Sequence, residues 1–134
     1  MAVVKKLKKG LDIRLKGSAA KKISGEVQSV DYCIKPTDFP GLVPKLNVRP
    51  GDPVKAGSAL FHDKKRPEIL FTSPVSGIVK EISRGEQRRI LEIVVTRSGN
   101  DFVDFGKSDT LKAGRDEVTK KLLESGLWPS IRQR

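Results

Sequence analysis

The sequence predicts a mainly β (α+β) domain, a small barrel-like sandwich of short strands closed by one C-terminal helix. Three observations predict it. They are the glycine spacing in "VRPGDPVKAGSALF", Val48 to Phe61, a strand–turn–strand pattern between Thr72 and Thr96, and a single helical periodicity near the end. Gly51 and Gly57 each permit a tight corner, Val48, Val54 and Leu60 fall six residues apart, and Pro74 with Gly77 makes another corner. Strands this short bury little apolar surface singly, so they must wrap on one another. At 134 residues the chain fits one domain large enough for a real core.

Taken in order, "ISGEVQSVDYCI", Ile23 to Ile34, alternates loosely between apolar and polar residues and predicts a half-buried strand or pair of strands. Pro36, Pro40, Pro44 and Pro50 then forbid a helix and restrict any strand to short edge pieces such as "KLNV". From Thr72 the pattern becomes a β-hairpin: "FTSPVSGIVKEI", a tip in "SRGEQRR", and a return in "ILEIVVT". On the return strand Leu91, Ile93 and Val95 are expected on the core face, with Ile90, Glu92 and Val94 opposite. Gly85 is expected to supply the positive φ such a tip needs. The helix is predicted in "AGRDEVTKKLLESGLW". Val118, Leu122 and Leu123 recur at helical spacing, acids occupy the first turn, and Lys120 and Lys121 lie further along. Gly126 reads as its stop, and Pro129 opens one more helical turn. We divide the chain into residues 1–110, the β domain with an N-terminal extension, and 111–134, a helical segment expected to continue beyond Arg134.

The chain holds 27 Lys and Arg against 16 acids, a net charge of +11. That balance invites a polyanion. The charges form one basic end and not one basic face. Lys5, Lys6, Lys8 and Lys9 lead an N-terminal cluster, Arg84, Arg88 and Arg89 make a second, and acids intersperse after Asp31. Nucleic-acid modules stack bases on exposed aromatics, and here aromatics are 5% of residues and scattered, so a nucleic-acid-binding barrel is the disfavoured class. One cysteine, Cys33, leaves no intrachain disulfide and no thiolate-built zinc or iron–sulfur site. Cys33 is read as a small buried apolar residue, and His62 as a solvated loop residue without a second metal ligand in view. No GxGxxG, phosphate loop or metal-ligand cluster is present, so no catalytic, cofactor-binding or metal residue is assigned. No apolar run approaches a bilayer span, and "MAVVKKLKKG" is too short in its apolar part for a signal peptide, so a reducing, cytosolic setting is expected.

The glycine frame resembles the biotinyl and lipoyl carrier domains, whose pattern Gly51, Asp52, Val54, Gly57, Leu60 and the "PVSG" of Pro74 to Gly77 match. That resemblance implies a barrel-sandwich hybrid fold. A carrier needs a lysine at the apex of a tight hairpin, and Lys64 stands about where it would be. Lys65, Arg66 and Pro67 follow at once, and the stretch from Lys64 to Pro74 looks about two residues longer than the carrier spacing. Both departures disfavour modification of Lys64.

A closer resemblance covers nearly the whole chain. "KKGLDIRLKGSA", the two glycine stretches and "LLESGLWPSIRQR" are similar, in this order, to the N-terminal part of the NqrA subunit of the sodium-translocating NADH:quinone oxidoreductase. The first and last motifs discriminate, because relatives of the fold share the middle pair. The resemblance implies a peripheral subunit on the cytoplasmic face of a bacterial inner membrane, in a respiratory pump that uses NADH, flavins, an iron–sulfur centre, quinone and Na+. It places the redox groups in other subunits, making this part a non-catalytic, subunit-docking module. Its partners would be those subunits and the remainder of its own subunit. Quinone binding is associated with the family, but no motif assigns it to residues here. The nearest alternative is the homologous C subunit of the Rnf-type electron transport complex. Trp128 is read as closing the core from the helix side, the other reading being the junction with the rest of the subunit. The lysines at 5, 6, 8 and 9 are candidate contacts to acidic partners or anionic lipid.

Overall fold

The computed structural model describes residues 16–109 and 112–131. Lys5, Lys6, Lys8 and Lys9 lie outside the described residues. Among the described residues seven strands form, β1 (Asp31–Ile34), β2 (Pro44–Leu46), β3 (Pro53–Val54), β4 (Ala59–Asp63), β5 (Arg66–Thr72), β6 (Gly77–Arg84) and β7 (Ile90–Arg97), followed by one α-helix, α1 (Arg115–Glu124). The prolines do not forbid every helical turn, for Pro36–Asp38 form a 3-10 turn that Pro36 opens, where its missing N–H costs nothing. They make two antiparallel sheets, one ordered β1-β7-β6-β3 and the other β2-β4-β5. Two small antiparallel sheets over one core make the barrel-like sandwich that the glycine spacing predicts. Val54, Leu60, Phe61, Phe71, Val79, Ile90, Ile93 and Val95 from both sheets are buried together between them.

The glycine corners link the sheets. Gly51 (φ +92°) and Gly57 (φ +93°) turn in the left-handed region, which costs a residue with a Cβ roughly 1–2 kcal/mol. The first corner is tied to β6, where Gly51 N–H donates to Val79 O at 2.7 Å and Val79 N–H donates back to Asp52 O at 2.9 Å. The second is tied beyond β5, where Gly57 N–H donates to Ser73 O and Ser73 N–H donates to Ser58 O, both at 2.8 Å. Short as β3 is, its two flanking corners hold it to both layers. Gly77 serves differently. A Cβ there would lie 1.9 Å from Thr96 O, so glycine is needed for close approach of β6 to β7.

Four further expectations need correction. The first strand is shorter than its alternation implies. Ile23, Val27 and Val30 are 87%, 98% and 70% exposed, because β1 pairs only along β7, which ends at Arg97, whose N–H donates to Val30 O at 2.8 Å. Second, the alternation on β7 slips. Ser83 pairs with Glu92 but Arg84 with Ile90, so Leu91 is the extra residue of a bulge, Ile90 turns into the core and Leu91 is left 40% exposed. Third, Gly85 is extended (φ −96°), and the positive φ values of the tip fall on Gln87 (+53°) and Arg88 (+60°). A Cβ at Gly85 would stand 3.1 Å from the Leu91 side chain, a tight contact with the bulged residue. Fourth, the helical spacing of Val118, Leu122 and Leu123 does not make one buried face: α1 lies against β5 with Thr119 and Lys121 to Leu123 half-buried, and Val118 is exposed.

The end of α1 follows its sequence closely. Gly126 (φ +73°) donates to Leu123 O and Leu127 N–H donates to Leu122 O, the paired bonds of a left-handed helix stop. Thr72 Oγ1 donates to Ser125 O at 3.3 Å, which fixes this stop to β5. Beyond this stop Trp128–Ser130 form a further 3-10 turn with Pro129 in second place.

Candidate functional site

The described residues hold no gathered catalytic set. No group of three or more His, Cys, Asp or Glu side chains among them is placed to hold a metal ion. His62 lies on β4, not in a loop, and is half-buried, with Nδ1 at 2.7 Å from Asn47 Oδ1. An amide oxygen only accepts, so Nδ1 carries the proton and the ring serves to tie β4 to Asn47, just after β2. Asp31 accepts from Lys80 Nζ and Thr96 Oγ1, each at 2.6 Å. These hydrogen bonds, Lys80's first, hold its carboxyl below the ordinary aspartate value. The resulting support for β1 is complete above the ordinary carboxylate pKa and is lost as pH falls through the lowered one.

Cys33 is exposed, contrary to the buried reading, because β1 is an edge strand whose outer face meets solvent. Its Sγ donates to Glu92 Oε2 at 3.4 Å. Desolvation, then the Glu92 carboxylate, pushes the thiol's pKa up. At neutral pH the thiol stays protonated and is a poor nucleophile. Iodoacetamide is therefore expected to alkylate Cys33 several-fold more slowly than a free cysteine at pH 7.5, and Glu92→Gln to speed the reaction. A rate equal to that of free cysteine would contradict this account.

Lys64 stands at the apex of the β4–β5 hairpin. Asp63 pairs with Arg66 across a two-residue turn, Lys64–Lys65, and Lys64 is exposed. The lengthened loop that the sequence suggests is absent, since the extra residues extend β5. The apex is not free-standing, however. Lys64 N–H donates to Val43 O at 2.8 Å, so the strap of residues 42–44 runs beside the turn and covers one of its sides.

Beside this turn lies an open groove of about 470 Å³. Phe39, Leu42, Ile69, Phe71, Trp128 and Ile131 supply its apolar lining, with Asp63, Lys65 and Arg66 also on its wall. Trp128 is half-buried and its turn packs on β5, so the indole both meets the core's outer edge and lines a surface that stays open. Phe39 continues inward through an edge-to-face contact with Phe71 at 4.7 Å. Sequence reasoning missed two contributors to the framework, Ser73 and Ser76. Both are buried, and their hydroxyls donate to Val75 O and Ser98 O around the Pro74–Gly77 corner. The signal available was the serine on either side of "PV" in a tight corner, where a hydroxyl can satisfy the backbone locally.

The comparisons with known proteins agree with this architecture. The family model described as the NqrA N-terminal barrel-sandwich hybrid domain matches residues 5–98. The chain is 37% identical over 131 residues to the A subunit of the Na(+)-translocating NADH-quinone reductase of Haemophilus influenzae, covering 96% of this chain and 29% of that protein. The subunits of the same name from Photorhabdus laumondii and Klebsiella pneumoniae are 38% and 39% identical over 132 residues, covering 96% of this chain and 30% of each. The chain thus spans less than a third of the length of these curated relatives. With its glycine corners, its two sheets and this match over most of its length, the chain belongs to the family of NqrA N-terminal barrel-sandwich hybrid domains.

Proposed function

We propose that the chain is the N-terminal module of the NqrA subunit in a sodium-translocating NADH–quinone reductase, and that it docks its subunit without taking part in catalysis. The observation that carries this reading is identity of 37% to 39% along nearly the whole chain to subunits of that kind. In this reading flavins and the iron–sulfur centre sit in other subunits, and NADH, quinone and Na+ are handled there. The module is peripheral, on the cytoplasmic face of the bacterial inner membrane. No helix among the described residues is long and apolar enough to cross a membrane.

The groove at Trp128 belongs, in the same reading, to the junction with the rest of the subunit. Ile131 lines it, and the relatives run on well past this point. A quinone pocket would enclose most of its ligand, whereas this groove is open along its length. Lys5, Lys6, Lys8 and Lys9 meet acidic surfaces of partner subunits. Lys64 remains an unmodified surface lysine, because an enzyme attaching a carrier arm must surround the turn and the strap at Val43 occupies one side of it.

Purification of the tagged full-length subunit from membranes of its natural host tests the proposal. The other subunits and NADH–quinone reductase activity are expected to accompany it. Changing Lys5, Lys6, Lys8 and Lys9 to glutamate is expected to lower that yield, and intact mass with peptide mapping to show Lys64 unmodified. Recovery of the tagged subunit alone would overturn the docking role, and a lipoyl or biotinyl increment on Lys64 would make the domain a carrier.

A further inference from the structure

The fold brings two basic hairpin tips to one end of the domain. The β4–β5 tip contributes Lys64, Lys65 and Arg66, and the β6–β7 tip contributes Arg84, Arg88 and Arg89. They are far apart in sequence, and the strap of residues 42–44 lies between them. On one side it accepts the Lys64 N–H at Val43 O. On the other it forms, with Ile90, the floor of a groove of about 340 Å³ walled by Arg84, Arg88 and Arg89. Within residues 63–66 and 84–89, six cationic residues stand against two acids, Asp63 and Glu86. Asp63 Oδ1 is engaged by the Lys65 backbone N–H. Among the described residues none of the six cations forms an ion pair, whereas Lys80, Lys112 and Lys120 elsewhere each have an acidic partner.

We propose that this end is a docking surface for an acidic polypeptide segment of another subunit, one that presents carboxylates to the arginines and an aliphatic side chain to the floor. The inference rests on the reading of the chain as part of a multisubunit assembly and names the chemistry of one partner. Charge complementarity argues for the occupant, because arginine's planar fork takes a carboxylate through two hydrogen bonds. The floor is apolar and Val43 is 39% exposed, an arrangement suited to a side chain inserted between charges. Shape favours a polypeptide over a bilayer, since the arginines wall a concave groove and a membrane surface is flat. Nucleic acid is disfavoured by chemistry, as no aromatic side chain lines this groove to stack a base.

Zero-length carbodiimide coupling on the intact complex from membranes reads the contact directly, because it joins a lysine amine only to a carboxylate it touches. Lys64 or Lys65 is expected to couple to an Asp or Glu of another subunit. Combined Arg84→Glu, Arg88→Glu and Arg89→Glu is expected to weaken retention of that subunit about tenfold or more and to abolish the coupling. The exposed-turn pair Lys64→Glu and Lys65→Glu is expected to weaken it less, and Lys22→Glu not at all. The turn pair keeps the test open should the triple variant misfold by circular dichroism. Coupling confined to the subunit's own chain would overturn the inference, as would unchanged retention in both charge-reversal variants. So would loss of binding to phosphatidylglycerol vesicles with the partner still attached, which would make this a lipid surface. A wild-type subunit that recovers no partner at all would instead sink the docking role, and this inference with it.

Discussion

Gly77→Ala is expected to cost about 3 kcal/mol or more and to leave little folded protein at 37 °C. The added methyl would sit 1.9 Å from Thr96 O and 2.9 Å from Ser98 N, and both obstacles are backbone. Neither can rotate away as a side chain would. Relief requires β6 to separate from β7 where Gly77 pairs with Arg97, next to the buried Val79–Val95 pair. Gly51→Ala provides the contrast, for it meets nothing within 4 Å but must hold φ near +92°. Its cost is the ordinary left-handed penalty, roughly 1–2 kcal/mol. Urea unfolding of the two variants beside the parent separates the effects. Equal midpoints for Gly77→Ala and Gly51→Ala would show that conformational preference, and not close approach, accounts for the glycine at 77.

Phe61→Ala is expected to lose about 3–5 kcal/mol, the range for an aromatic removed from a packed core. Phe61 is fully buried on β4 and stacks on Phe71 with ring centroids 4.6 Å apart and planes 12° from parallel. Phe71 in turn meets Phe39 edge to face, so the three rings join the core to the lining of the Trp128 groove. Loss of the first ring would leave a cavity against the second, with an effect reaching that surface. Phe102→Ala, at a residue 71% exposed, should change stability by less than about 0.5 kcal/mol. Thermal unfolding measures both. A Phe61→Ala loss no larger than that of Phe102→Ala would refute the assigned core.

Much of this architecture was legible because it depends on short-range chemistry. Gly51 and Gly57 lie where the chain must turn with φ > 0, prolines 36 to 50 leave room for nothing longer than the 3-10 turn at Pro36–Asp38, and Gly126 stops α1 with the bonds that its position implies. The prediction of a β6–β7 hairpin rested on two apolar runs around a polar tip, and that pattern needs no knowledge of the rest of the fold. The errors occurred where a neighbour decides. Alternation in Ile23 to Val30 gave no sign that β7 ends at Arg97, level with Val30, and leaves the residues before it without that partner strand. The reversal of Ile90 and Leu91 comes from a bulge, which leaves no mark on residue type. Gly85 could be read as a turn glycine, but it is extended, and its close neighbour is the bulged Leu91 side chain.

The candidate surfaces divide in the same way. Lys64 and Trp128 could be named in advance, yet a lysine in a string of charges does not reveal whether its loop is long or a two-residue turn. Nor could the sequence place Arg84, Arg88 and Arg89 beside Val43, because that proximity depends on the packing of two sheets whose strands are not consecutive. The sequence by itself determined the mainly β class, the corners, the hairpin and the family, since each is carried by local backbone preference or by residues in linear order. Only the tertiary structure decided which side chains are buried, which glycine is needed for close approach and which distant charges share a surface. Those depend on what the fold sets beside each residue, and pairing and burial are properties of neighbours that linear order does not record.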